Sequence, residues 1–354
     1  MSGSPYSPLK IFHHQDRLKK LRAGVHPVLL HVQLIPTNRC NQDCNFCAYR
    51  MHGYSSSEDF IEKDQIPFPI LEEVIGDCVR LDVRAIEITG GGEPTIYPQF
   101  VEMCNLIAER EIDYAVVSNG VNLNEKKLNA MLGAKWVRFS IDSGEPETYA
   151  RIRHSVPDQL FRTRYNVRAL VDLRNKTGND LLIGVGFVVT EDNWKEIFQA
   201  AQNAKEDGVD NFRISAVFQN EGASYFSGFY EEAKDLCSAV QQQLQSDDFK
   251  VFNMFGERLS DLEQQFPDYS FCGYQYFTTY IGADLNVYRC CNTAYNPRGF
   301  LGSLETQSFY DLWNSVKDKL DDFDARRCPR CMFNVKNRQI AYALEENPRH
   351  VNFL

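Results

Sequence analysis

The feature that most constrains this chain is a repeat of short apolar runs, each closing on a small polar residue or turn former and each followed by a helical stretch. The runs cover residues 31–36, 85–89, 114–118, 136–141, 182–189 and 212–217. Strand and helix alternating at this rhythm predict parallel strands joined by helical crossovers, hence an α/β chain with a six-fold β/α repeat. Asn193 is expected to cap the helix from Trp194 onward, with Glu196 three residues on, and Gly208 to close it in the left-handed conformation. After residue 222 the alternation fades into a polar helix ending near the Gln run at 241–245. The expected organisation is an N-terminal extension at 1–30, a barrel at 31–240 and a cysteine-bearing tail at 260–354.

At 354 residues the chain can bury a large core plus a smaller unit, and 43% hydrophobic with 24% charged residues excludes disordered and low-complexity classes. A net charge of −10 opposes non-specific attraction to nucleic acid or anionic lipid. The start, Met1 to Pro5, lacks the basic head and apolar core of a signal peptide, and no apolar stretch is long enough to span a bilayer. The expectation is a cytoplasmic protein with no membrane partner. In such a chain, eleven clustered cysteines point to metal before disulfides.

The first run opens into a loop that spaces Cys40, Cys44 and Cys47 as Cys-x3-Cys-x2-Cys. A cubane iron–sulfur cluster normally takes four cysteines, so three close ones leave one iron open to another ligand. Structural zinc is the competing reading, but His52 would have to complete a site of unusual spacing.

On these residues the chain resembles the radical S-adenosylmethionine (SAM) superfamily, whose mark is this triad with an aromatic residue before the third cysteine, here Phe46. The resemblance continues at Gly90, Gly91, Gly92, Glu93 and Pro94, similar to the family's motif for the amino end of the methionine moiety. Glycines admit close backbone approach, and carbonyls with a carboxylate can receive an ammonium group. Ser140 and Arg153 match the family's polar strand end and the arginine that pairs with the methionine carboxylate. Asp142 would take the ribose or act as a helix cap. Ser118, Asn119 and Gly120 can face the same cavity or form an ordinary turn, and the strand around Gly186 can lie against adenine or reflect tight packing.

The resemblance implies a partial (β/α)6 TIM-like barrel. It implies a [4Fe-4S] cluster on Cys40, Cys44 and Cys47, and S-adenosyl-L-methionine held by Phe46, Gly90, Gly91, Gly92, Glu93, Ser140, Asp142 and Arg153. It also implies one-electron cleavage of SAM, fed by a donor such as flavodoxin or ferredoxin, to a 5′-deoxyadenosyl radical that removes a substrate hydrogen.

The tail carries Cys272, Cys290, Cys291, Cys328 and Cys331, with an aromatic stretch from Tyr274 to Tyr280. Residues 283–290 and 301–315 resemble the family's auxiliary-cluster extension in its shortened SPASM/twitch form, which implies a second [4Fe-4S] cluster on Cys272, Cys290, Cys328 and Cys331. Cys291 can substitute for Cys290, and a zinc ribbon would use the same kind of cysteine set. A cluster closed by four protein ligands points to electron exchange with a substrate radical.

Cys78, Cys104 and Cys237 sit on amphipathic helical stretches and read as core, while His13 and His14 read as surface. Between Arg151 and Lys176, seven Lys or Arg face Asp158 and Asp172 alone, so Arg162, Arg164 and Arg168 can meet an anionic substrate or form a solvated basic helix. The expected function is radical SAM redox or rearrangement chemistry on a small polar metabolite, a sugar or amino-acid derivative. The alternatives are an isomerase moving an amino-acid adduct on a modified nucleobase, as in some virus-encoded relatives, and a non-catalytic electron carrier or zinc module. Cys291 and Tyr280 are candidate hydrogen-atom donors that spacing cannot place, so no catalytic residue is assigned.

Overall fold

The computed structural model describes residues 5–51 and 58–346. Its ten strands are β1 His31–Leu34, β2 Ala85–Ile88, β3 Asp113–Ser118, β4 Trp136–Ser140, β5 Leu182–Val189, β6 Asn211–Ala216, β7 Lys250–Asn253, β8 Thr278–Ile281, β9 Asn286–Tyr288 and β10 Phe300–Ser303. Helices α1 Gln15–Arg22, α2 Phe68–Arg80, α3 Phe100–Glu109, α4 Glu125–Met131, α5 Pro146–Arg153, α6 Asp158–Thr177, α7 Ile197–Glu206 and α8 Tyr230–Leu244 precede the tail. The remaining helices are α9 Phe255–Glu263, α10 Tyr274–Phe277, α11 Phe309–Ser315, α12 Lys317–Asp321 and α13 Asn334–Leu344.

One sheet holds every strand, in the order β10-β9-β8-β1-β2-β3-β4-β5-β6-β7. The run from β8 through β1 to β7 is parallel, as expected for a partial TIM-like barrel, and β9 and β10 add an antiparallel hairpin. The six expected strands are present, and β7 is a seventh. It escapes detection in the sequence because only Val251 of its four residues is buried, too short a signal for period-two patterning. The aromatic tail stretch contributes β8, which pairs Thr278 with His31 and Ile281 with Leu34, so the tail joins the barrel sheet.

Strand residues alternate in burial. Val32, Leu34, Ile86, Ile88, Val137, Phe139, Phe212 and Ile214 are sealed against the helices, each contributing about 1.5–3 kcal/mol of burial. The opposite face carries half-buried Gln33, Glu87, Arg138 and Arg213, a polar interior for a barrel that is not packed shut.

Cys78, Cys104 and Cys237 are fully buried, as their helical spacing predicts. Gly208, with φ of +78°, follows α7 in the left-handed conformation. Asn193 does not cap. Its amide donates to the carbonyls of Asp142 and Val188, both at 2.9 Å, and its oxygen accepts from Thr190 N–H at 2.7 Å. Glu196 reaches instead to Ser143 Oγ and Gly144 N. Strand-end groups brought close by the barrel outcompete the local capping box. In the N-terminal segment His13 is exposed, whereas Arg17 is buried and pairs with Asp82 at 2.6 Å.

Candidate active site

The cysteine loop leaves β1 and is stitched to its neighbours by backbone hydrogen bonds. Gly92 N–H donates to Thr37 at 3.2 Å, Glu93 N–H to Arg39 at 2.8 Å, Asp43 N–H to Arg153 at 3.2 Å and Asn45 N–H to Ile152 at 3.0 Å. The loop after β2 and the end of α5 therefore hold the triad in place. Cys40, Cys44 and Cys47 are free, half-buried thiols. Burial, then the nearby Glu93 carboxylate, pushes Cys40 up to about 12, and burial raises Cys44 and Cys47 as well. Phe46 lies 5.8 Å from the Arg153 guanidinium.

Gly90, Gly91 and Gly92 admit no side chain. A Cβ on Gly91 would fall 2.4 Å from Asn38 Oδ1, and one on Gly92 would fall 2.0 Å from the Arg39 carbonyl. Glu93 is only 3% exposed, and its carboxylate is already occupied: Oε1 accepts from Thr95 N–H, Thr95 Oγ1 and Ser118 Oγ, and Oε2 from Asn119 N–H. Glu93 thus ties β2 to the end of β3. Asn119 goes on to donate to Asn41 Oδ1 at 2.7 Å, which brings the Ser118–Gly120 turn against the cysteine loop.

Arg153 and Asp142 are both buried and form an ion pair. Arg153 also donates to the Ser140 carbonyl and to Gln42 Oε1, each at 2.8 Å, while its Nε is sealed without a partner. Burial opposes its charge, yet Cys44 and Asp142 beside it push the guanidinium above its ordinary value. The other oxygen of Asp142 accepts from Val188 N–H at 2.7 Å, so both carboxylate oxygens are engaged by protein. Gln42, which joins Arg153, Tyr149 and Gln159, carries no signal in the sequence beyond its place inside the triad.

In the tail, Cys272, Cys290, Cys328 and Cys331 line one enclosed cavity with Tyr274 and Phe333. Cys328 Sγ accepts from Asn292 Nδ2 at 3.5 Å and Cys331 Sγ from Phe333 N–H at 3.4 Å. Cys291 turns away toward Glu87 and Lys336, 4.0 Å from Met332 Sδ. Tyr280 is fully buried in a tyrosine cluster with Tyr288 and Tyr295, its hydroxyl 3.2 Å from that of Tyr49.

Among the described residues, no three His, Cys, Asp or Glu gather as for a single metal ion. A four-iron cluster seats each thiolate on its own iron, so its ligands stand further apart than those sharing one zinc. The residues present fit the implied groups: a loop triad of free thiols and, beside it, a buried arginine with an unpartnered Nε. His52 lies outside the described residues.

Helix α6 meets this site through Gln159, Thr163 and Asn166, and its paired arginines lie elsewhere. Asp207 takes Arg164 at 2.8 Å and Arg168 at 2.7 Å, and Asp210 takes Arg174 at 2.6 Å, so the local charge excess is spent bracing α6 against the next β/α unit. Arg162 is exposed on the same helix.

The Radical SAM superfamily matches residues 34–233, more than half of the chain, and the chain belongs to that family. The family implies a [4Fe-4S] cluster and SAM. A tungsten-containing aldehyde ferredoxin oxidoreductase cofactor-modifying protein of Pyrococcus furiosus is 28% identical over 211 residues, 58% of this chain and 56% of that one. A probable GTP 3′,8-cyclase of Thermococcus kodakarensis is 32% identical over 117 residues, 33% of this chain and 36% of that one. The matched stretch thus spans about a third to just over half of these relatives. In fold the chain is similar to Streptococcus suis SuiB bound to SAM, with TM-score 0.64, 15% identity and coverage of 91% of this chain and 74% of that one. It is also similar to anSMEcpe bound to AdoMet, with TM-score 0.58, 16% identity and coverage of 89% and 96%. No helix among the described residues is long and apolar enough to cross a membrane.

Proposed function

We propose that Cys40, Cys44 and Cys47 hold the SAM-binding cluster, with Phe46, the Gly90–Gly92 loop, Glu93, Ser140, Asp142 and Arg153 forming the SAM site. When bound, cluster and SAM supply one-electron reductive cleavage that delivers a 5′-deoxyadenosyl radical. The observation that carries the reading is the convergence of the triad, the glycine loop and Arg153 at the C-terminal ends of β1, β2 and β4, where barrel enzymes place their chemistry. Within the site, Glu93 and Asp142 are positioning residues. Their oxygens orient the Asn119 turn, the β5 strand and Arg153, and the glycines let the loop after β2 pack directly on Asn38 and Arg39 of the cysteine loop.

The tail at 260–354 is read as a SPASM/twitch-like unit whose Cys272, Cys290, Cys328 and Cys331 hold a second [4Fe-4S] cluster, supported by their single shared cavity. The substrate is a small polar metabolite taken into the polar barrel interior. Relatives named as GTP cyclases and as a nucleotide dehydratase support a small, charged substrate class. The test is 5′-deoxyadenosine formation by anaerobically reconstituted, reduced protein. Product from the wild type and none from the Cys40, Cys44 and Cys47 to Ala triple variant supports the reading. Equal output from the two rejects it.

A further inference from the structure

Deeper in the barrel than the cysteine and glycine loops lies a second concentration of chemistry. Arg138 of β4 and Arg213 of β6 flank β5, Arg138 paired in register with Gly184 and Arg213 with Gly186, two residues further along the same face. A Cβ on Gly186 would stand 3.1 Å from Arg138 Cδ, so the arginine lies across a bare backbone and reaches toward Arg213. From the open side of the barrel, α9 brings Arg258 and α13 brings Lys336 into the same field. Arg213 senses Arg138, Arg258 and the Glu87 carboxylate, and Lys336 senses Arg258, Glu87, Cys291 and Lys10.

Counter-charge falls short of the cations. Asp261 takes Arg258 at 3.3 Å, and the Glu87 carboxylate, 3.6 Å from a His31 imidazole whose pKa burial lowers, offsets part of the charge on Arg213 and Lys336. Among the described residues no carboxylate forms an ion pair with Arg138, Arg213 or Lys336, and Arg213 Nε is sealed with no hydrogen-bond partner. The cations rest instead on aromatic faces: Arg138 on Trp136 at 5.4 Å, Arg213 on Tyr6 at 4.9 Å and Lys336 on Tyr274 at 5.3 Å. Burial, then Arg258, lowers Lys336 to about 8, and burial with Arg138 and Arg258 drives Arg213 downward. Four cations against the two carboxylates Asp261 and Glu87 leave an excess of positive charge that destabilises the fold unless a ligand brings the opposite charge.

We propose that Arg138, Arg213, Arg258 and Lys336 form a subsite for the phosphate group of a phosphorylated substrate. The inference rests on the proposed radical SAM reading and names the substrate class of that same barrel. Phosphate suits the cluster better than a carboxylate does, because its oxygens can engage two guanidinium forks and an ammonium at once. Arg138 lies two residues before Ser140 on the same face of β4, about 7 Å deeper. The phosphate end would be anchored deep, and the carbon skeleton would rise toward the strand ends where hydrogen abstraction takes place.

The test titrates reconstituted full-length holoenzyme with inorganic phosphate by calorimetry, alongside Arg213→Met, Lys336→Met, the charge-keeping Arg213→Lys and Lys336→Arg, and the surface control Arg162→Ala. The proposal expects one phosphate per chain in the wild type, at least tenfold weaker binding in the Met variants, and binding within threefold of wild type in the other three. Absence of phosphate binding in the wild type, or Met variants that bind as well as wild type, overturns it. Acetate binding as tight as phosphate also overturns it. Should the Met variants fail to fold, the wild-type isotherms for phosphate and acetate still decide. 5′-Deoxyadenosine formation is scored separately, so intact phosphate binding without SAM cleavage rejects the radical reading and leaves the subsite standing.

Discussion

The backbone N–H of Asn119 donates to Glu93 Oε2 at 2.7 Å, joining the end of β3 to the loop after β2 through a buried carboxylate. Because Glu93 Oε1 accepts three further hydrogen bonds, every one of its contacts needs an acceptor. Glu93→Gln would turn an amide NH2 toward a donor whichever way it is placed. The expected outcome is about 1–3 kcal/mol lost in urea unfolding, with SAM affinity of the cluster-loaded protein at least tenfold weaker. Unchanged affinity would remove Glu93 from the site.

Cys290 and Cys291 are neighbours with opposite surroundings, one on the tail cavity and one toward Glu87 and Lys336. In the Cys40, Cys44 and Cys47 to Ala background, Cys290→Ser should strip most remaining iron and sulfide, and Cys291→Ser should keep them. Iron and sulfide counts per chain decide, and the reverse pattern would move the ligand to Cys291.

Gly186→Ala places a methyl 3.1 Å from Arg138 Cδ. A flexible side chain can move by a few tenths of an ångström, so the thermal midpoint should change little. Phosphate affinity should fall severalfold as Arg138 is pushed off the glycine. Calorimetry beside a melting curve separates the two effects.

Lys336, lowered to about 8, faces Arg258 on α9, Glu87 on β2, Lys10 of the N-terminal segment and Cys291. A folded pKa below the unfolded value of about 10.4 means that the fold binds this proton less tightly. Its contribution to stability is therefore least favourable below about pH 8 and improves as pH rises toward 10.4. Phosphate binding should run the other way, weakening as pH climbs through about 8. Lys336→Met should flatten both dependences, and a phosphate isotherm that does not change between pH 7 and 9 would contradict the expectation.

Much of the architecture was legible because its signals are local. The apolar runs that became β1 to β6, the triad Cys40, Cys44 and Cys47, and Gly208 closing α7 all lie within a few residues of their own cause. The family, too, was readable from two short motifs, and the match over residues 34–233 agrees with them. Other features depend on partners far away in the chain. Asn193 and Glu196 look like a capping box, but the barrel offers them Asp142, Val188 and Gly144, and those contacts win. Arg164 and Arg168 look like a binding surface, but Asp207, about forty residues on, neutralises both. Arg138, Arg213, Arg258 and Lys336 are unremarkable in sequence because nearly two hundred residues separate the first from the last. The sequence by itself determined the alternation, the cysteine spacings and hence the class of chemistry, since each depends on covalent neighbours. Only the tertiary structure decided which charges are spent on one another and which are left facing the barrel interior, because Coulomb interactions act across space and folding alone sets those distances.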